Sequence, residues 1–255
     1  MFGWLRKRRI APREFPDALW QAVLERYPFI AQRPGEELPR IRVLAGQFLA
    51  TKQFTGANGL QITDEIALSI AVQAVLPVLH LGLDWYDDFV GIVVHPDEVI
   101  AKRKSVDESD VVHEWKEVIA GEAMEHGPVT LSWNDVATAG EHAHEGYNVV
   151  IHEFVHKIDM RDGRADGCPP LQSPAAREAW LEVMRREYEA FREKAIVAER
   201  FGGEDPWLDP YGATSIDEFF AVASEAYFAA NARFREEHAA LATLFDGFFL
   251  SASRP

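Results

Sequence analysis

The chain has 255 residues, 47% of them hydrophobic and 26% charged, a balance that excludes wholesale disorder and supports a sizeable core. Forty-one acidic residues against 26 basic ones leave a formal net charge of -15, which repels nucleic-acid phosphates, so no direct nucleic acid binding is expected. The single cysteine, Cys168, rules out an intrachain disulfide, suits a reducing compartment and is read as structural.

Residues 1–15 read as a basic tail. Arg6 to Arg9, beside Phe2, Trp4 and Leu5, would suit either a frayed end or contact with an acidic membrane surface. The residues that follow are not the apolar core of a signal peptide, and no run reaches the roughly 18 apolar residues of a membrane span. A cytoplasmic protein is expected.

From about 16 to 85 the pattern is mainly helical. Ile41, Leu44, Phe48 and Leu49 recur at helical spacing within 38–53, and Gly56 to Gly59 interrupts them. Thr63 is placed to cap a second apolar helix, Ile66 to Val75, with Asp64 and Glu65 in its first turn. Strands are predicted at Phe89 to Val94, around Trp115 to Ile119, and at Val129 to Trp133 after Gly127-Pro128. Residues 134–145 read as a polar loop, with His142 and His144 solvated rather than ligating. A helix from Tyr147 to Ile158 follows.

Ser173-Pro174 marks the start of a helix running to about Ala195. A Gly/Asp/Pro-rich loop over 202–211 leads to a helix from Ile216 to Ala230. One more helix carries Leu241, Leu244, Phe245 and Phe248. No repeat or low-complexity linker divides the chain. The expectation is a single α+β domain over 1–255, with helices flanking a small mixed sheet and its catalytic part over about 86–255.

The chemistry concentrates at His152-Glu153-Phe154-Val155-His156. Two histidines four apart on a helix share a face and reach one ion, while Glu153, rotated by about 100°, points at the water position. A catalytic zinc site usually adds a third protein ligand and keeps a fourth position wet. Glu218 and Glu225, seven residues apart on the later helix, both suit that part. Ser215-x-x-Glu218 also reads as a capping box, so spacing alone does not choose between cap and ligand, or between the two acids. Asp159 is placed either to orient a ligand imidazole or to end the helix.

These residues, with His152 to Asp159, Tyr211, Glu218 to Phe228, Leu76 to Trp85 and Gly127 to Trp133, resemble the Mlc titration factor A family of zinc metallopeptidases over roughly residues 40 to 230. The resemblance implies a zincin-like, gluzincin-type α+β fold. It also implies one Zn2+ held by His152, His156 and Glu218, with Glu153 as general base and Tyr211 assisting catalysis. His113 matches a family histidine that can lie at the metal, though beside Glu114 it reads equally as a surface residue. The implied activity is aminopeptidase-like hydrolysis of a peptide substrate. The implied alternative is a regulatory binding protein that sequesters the transcriptional repressor Mlc and so affects glucose uptake. Within the mechanism the strand at Val129 to Trp133 is open to two readings, an edge that pairs with substrate or an inner strand.

Overall fold

The computed structural model describes residues 11–106 and 112–251, with the backbone alone over 99–106 and 112–119. Helices α1 (Asp17–Arg26), α2 (Pro28–Ala31) and α3 (Glu37–Thr51) lead into strand β1 (Gln53–Gly56), and α4 (Asp64–Ala74) follows. The Thr63 side chain accepts the Ile66 N–H, and Asp64 and Glu65 occupy the first turn of α4, as its sequence signature predicts. Strands β2 (Gly91–His95), β3 (Val99–Val106), β4 (Val112–Ile119), β5 (Gly121–Ala123) and β6 (Val129–Ser132) come next.

Four strands form one mixed sheet in the order β1-β2-β6-β5, parallel except for the antiparallel β5–β6 pair. Among the described residues, strands β3 and β4 pair only with each other, antiparallel, as a separate hairpin. The strand at Val129 is therefore an inner one, flanked by β2 and β5, and the edge strands of the sheet are β1 and β5. That corrects the edge reading of Val129 to Trp133.

The 134–145 stretch is not a loop either. Helix α5 (Trp133–His142) begins directly where β6 ends, with the Ser132 hydroxyl accepting the Asp135 N–H at 3.4 Å. Asn134, Asp135, Thr138 and Gly140 are weak helix formers, but Val136 and Ala139 are buried, and tertiary packing overrides propensity. Helix α6 (Val149–Asp159) lies under the sheet with all eleven residues buried. Its Phe154 ring packs 5.1 Å from Tyr86, 5.5 Å from Phe48 and 5.9 Å from Phe89.

Helix α7 (Pro174–Phe201) starts at the predicted Ser173 cap and Pro174, and runs past Ala195 to Phe201. Helix α8 (Ile216–Ala229) packs on α6, and two helices rather than one complete the described chain, α9 (Asn231–Glu237) and α10 (Ala239–Phe249). Trp180, Phe220, Phe245 and Phe248 lock α7, α8 and α10 together through ring contacts of 5.6 to 5.9 Å. One buried apolar cluster extends from Trp20 to Phe249. The basic tail at Arg6 to Arg9 lies outside the described residues.

Candidate metal centre

Asn148 sets the start of α6, its side-chain oxygen accepting the Ile151 N–H at 2.9 Å. From that cap, His152 and His156 fall one turn apart on the face turned toward α8, each 9% exposed. Their Nε2 atoms lie 3.1 Å from each other. Glu218, in the first turn of α8, brings Oε2 to 3.0 Å from His152 Nε2 and 3.2 Å from His156 Nε2. Among the described residues His152, His156 and Glu218 form a cluster able to hold a metal ion. The Ser215 side chain makes no capping bond, so the capping-box signature at Ser215-x-x-Glu218 is not formed from its serine side.

Glu225, two turns further along α8, takes a different position. Its Oε1 meets His152 Nδ1 at 2.7 Å, and its Oε2 accepts the backbone N–H of Asn148. A carboxylate that accepts at both oxygens requires the imidazole to donate from Nδ1, which leaves the Nε2 lone pair facing the cluster. Gln73 on α4 braces this arrangement through a 2.7 Å bond from Asn148 Nδ2.

This donor set fits a divalent cation. An ion with tetrahedral bonds of 2.0–2.1 Å separates its donors by about 3.3 Å. The three donors here stand 3.0 to 3.2 Å apart in a buried site, where electron-rich atoms without a cation or proton between them repel. The surrounding carboxylates also make this a site that favours positive charge, whether a proton or a cation. Burial opposes a charged His152, yet Glu218 and Glu225 outweigh it and push the imidazole pKa well up. Burial likewise tends to raise Glu218, but its bonds to His152 and His156 hold it well below the usual carboxylate range.

Glu153 follows His152 and is 4% exposed, lining a cavity of about 410 Å³ with the cluster. Burial pushes its carboxyl up to about 7, against the pull of the two histidines. Gly121 of β5 lies directly against it: an added Cβ would stand 2.5 Å from Glu153 Oε1, so a larger residue here would push the Glu153 side chain out of place. Tyr211 sits at the cavity on a 3-10 turn, Pro210–Ala213, which the Asp209 side chain caps at 2.9 Å. Its hydroxyl is 3.4 Å from Glu218 Oε1, and its ring centroid is 6.2 Å from that of His152. Glu98, Glu122, Asp209 and Asp217 add carboxylates to the cavity lining, which includes no Lys or Arg among the described residues.

The other sequence candidates fall elsewhere. Asp159 accepts the Gly167 N–H at 2.9 Å, with its second oxygen buried and unbonded, so the imidazole partner found here is Glu225. His142 and His144 are exposed and lie beside Glu145. Cys168 is buried, and burial pushes its thiol up to about 12. His113 pairs with Ser105 in the β3–β4 hairpin, about 20 Å along the strand from the base at Ile119, and its side chain lies outside the described residues. Sequence reasoning missed Gln73, Asn148 and Gly121. Only Asn148, a capping residue type directly before the apolar run, carried a local signal.

A buried His-His-Glu cluster beside an open acidic cavity is the equipment of a metallopeptidase-like protein. The chain belongs to the glucose-regulated metallo-peptidase M90 family, whose model matches residues 2–250. It is 34% identical over 242 residues to an uncharacterized protein of Synechocystis, covering 93% of this chain and 86% of the relative. It is similar to the Mlc titration factor A proteins of Edwardsiella ictaluri (34% over 225 residues, 87% and 83% covered) and Serratia proteamaculans (35% over 214 residues, 84% and 79% covered).

Proposed function

We propose that this chain is a zinc-dependent peptidase with a zincin-like fold, one catalytic domain in which His152, His156 and Glu218 hold a single zinc ion. The observation that carries this reading is the convergence of three lone-pair donors within 3.2 Å, with His152 Nδ1 already committed to Glu225. Two imidazoles and one carboxylate suit zinc, and three protein donors leave a position open for catalysis. Zinc held there would polarise a scissile carbonyl and lower the pKa of water toward neutrality.

Glu153 takes the proton from the attacking water at its carboxylate and delivers it to the leaving amine. Tyr211 donates its hydroxyl hydrogen to the oxyanion that develops on the carbonyl. The extended substrate runs along the outer edge of β5. Ala120 and Met124 bond toward β6, so the alternation of an antiparallel ladder turns the N–H and C=O groups of Gly121 and Ala123 outward. The acidic lining attracts the ammonium of a free N-terminus, which supports aminopeptidase-like cleavage.

The peptidase is assigned to the cytoplasm. The free buried thiol of Cys168 suits a reducing compartment, and no described helix is long and apolar enough to cross a membrane. Metal analysis of the purified protein, paired with a chelator-sensitive assay on aminoacyl anilides and short peptides, tests the activity. One zinc per chain and hydrolysis that stops with chelator and returns with zinc are expected; a zinc-loaded protein inert on the whole panel refutes the reading.

The relatives' name, Mlc titration factor A, favours a second role as a binding protein for an Mlc-like partner, which the family resemblance makes a transcriptional repressor affecting glucose uptake. Capture of such a repressor by the His152→Ala variant, with no peptide turnover by the parent, would make binding the main role.

A further inference from the structure

Lys157 follows the second histidine of the metal helix, carries a charged group, and is only 1% exposed. A buried ammonium is costly unless its protons are satisfied. Lys157 Nζ donates to Met124 O at 2.7 Å and to Gly127 O at 3.3 Å, and lies 4.5 Å from the Phe89 ring centroid and 4.0 Å from Asp88 Oδ2. Both carbonyls belong to the turn joining β5 to β6.

The turn offers this donor an acceptor for a reason written in its sequence. In the β5–β6 ladder Met124 faces Pro128, and the Met124 N–H donates to Pro128 O at 3.4 Å. Proline has no N–H to return, so the Met124 carbonyl has no ladder donor. The Gly127 N–H, at 3.0 Å, and the Lys157 ammonium take that carbonyl instead. Lys157 lies four residues after Glu153 and so on the same face of α6, one turn along. Strand β5 therefore touches that face at two points, with Gly121 against Glu153 and the turn against Lys157.

We infer that Lys157 is a positioning residue that fixes the slide and tilt of β5 along the metal helix, holding the outer edge at Gly121 and Ala123 in register with Glu153. The inference rests on the reading of β5 as the substrate strand, and it predicts that loss of Lys157 weakens binding of extended peptides rather than the chemistry itself.

The test uses the full-length zinc-loaded protein and compares Lys157→Met with the parent on an extended fluorogenic peptide and on a single-residue aminoacyl anilide. KM for the extended peptide should rise about tenfold, while kcat for it and both constants for the anilide should stay within about twofold. Backbone amides of residues 120–128 should exchange with solvent about tenfold faster, with zinc content unchanged. Pro128→Ala introduces the missing ladder N–H, so Lys157→Met/Pro128→Ala should recover slow exchange and the parental KM.

An unchanged peptide KM together with unchanged exchange at 120–128 overturns the inference. So does a fall in kcat on both substrates alike. If Lys157→Met does not fold, a folded double variant with slow exchange supports the inference, and an unfolded one overturns it. Should the parent hydrolyse nothing, the peptidase reading fails by itself, and the exchange measurement still decides whether Lys157 holds the turn.

Discussion

Replacing Glu225 with glutamine changes one atom type at constant volume, and the geometry makes its effect calculable. The carboxylate accepts on both sides, from His152 Nδ1 at 2.7 Å and from the Asn148 backbone N–H. A carboxamide has one acceptor and one donor end. With its oxygen toward Asn148, its NH2 faces Nδ1 and drives the His152 proton to Nε2, the atom that faces His156 and Glu218. With its oxygen toward His152, its NH2 meets the Asn148 N–H in a buried site. Either way a hydrogen bond to a charged group is lost, worth about 1.5–3 kcal/mol, or roughly ten- to hundredfold in metal affinity. Competition with a chromophoric chelator measures zinc affinity directly, and thermal unfolding with and without zinc separates it from fold stability. An affinity for zinc within twofold of the parent would refute the assigned tautomer and the positioning role of Glu225.

The remaining predictions concern the proposed base, the strand beside it and a buried acid. Glu153→Gln should retain one zinc per chain while turnover falls by about a hundred- to ten-thousandfold, as read by metal analysis alongside peptide hydrolysis. Gly121→Ala would put a methyl group 2.5 Å from Glu153 Oε1, so kcat should drop by about ten- to a hundredfold with zinc affinity nearly intact. Burial raises the Asp159 carboxyl from 3.8 to about 7 in the folded chain. The native state therefore binds the extra proton, so this contribution is fully present below about pH 4 and is lost as pH rises toward 7, by up to about 4 kcal/mol. Urea unfolding of chelator-treated protein should show that decline, and Asp159→Asn should flatten it; an equal slope in the variant would assign the decline to other groups.

The helices that carry the site were legible because their signals are local. Thr63, Ser173-Pro174 and the histidine pair at 152 and 156 each specify a start or a face within a few residues. Glu218 and Glu225 were not separable, since both project from one face of α8. The packing of α8 on α6 decides between them, sending one carboxylate to the Nε2 side of His152 and the other to Nδ1. Helix α5 was hidden by its polar, weakly helical residues and by the absence of any turn between Ser132 and Trp133. Strand β1 was hidden by its length of four residues. The three-residue strand β5 carries no periodicity, and only the ladder to β6 and the contact with Glu153 define it.

Under the proposed ligand set, His156 and Glu218 are separated by 62 positions in the chain, bridged by the long helix α7. Any transient helical turn can bring two imidazoles together, but the acid arrives only once α8 has docked. An unfolded chain thus offers zinc a weak bidentate grip and the native chain a tridentate one, and that difference in affinity becomes stability in proportion to zinc occupancy. Under that ligand set, zinc supply would govern how long the C-terminal helices stay docked.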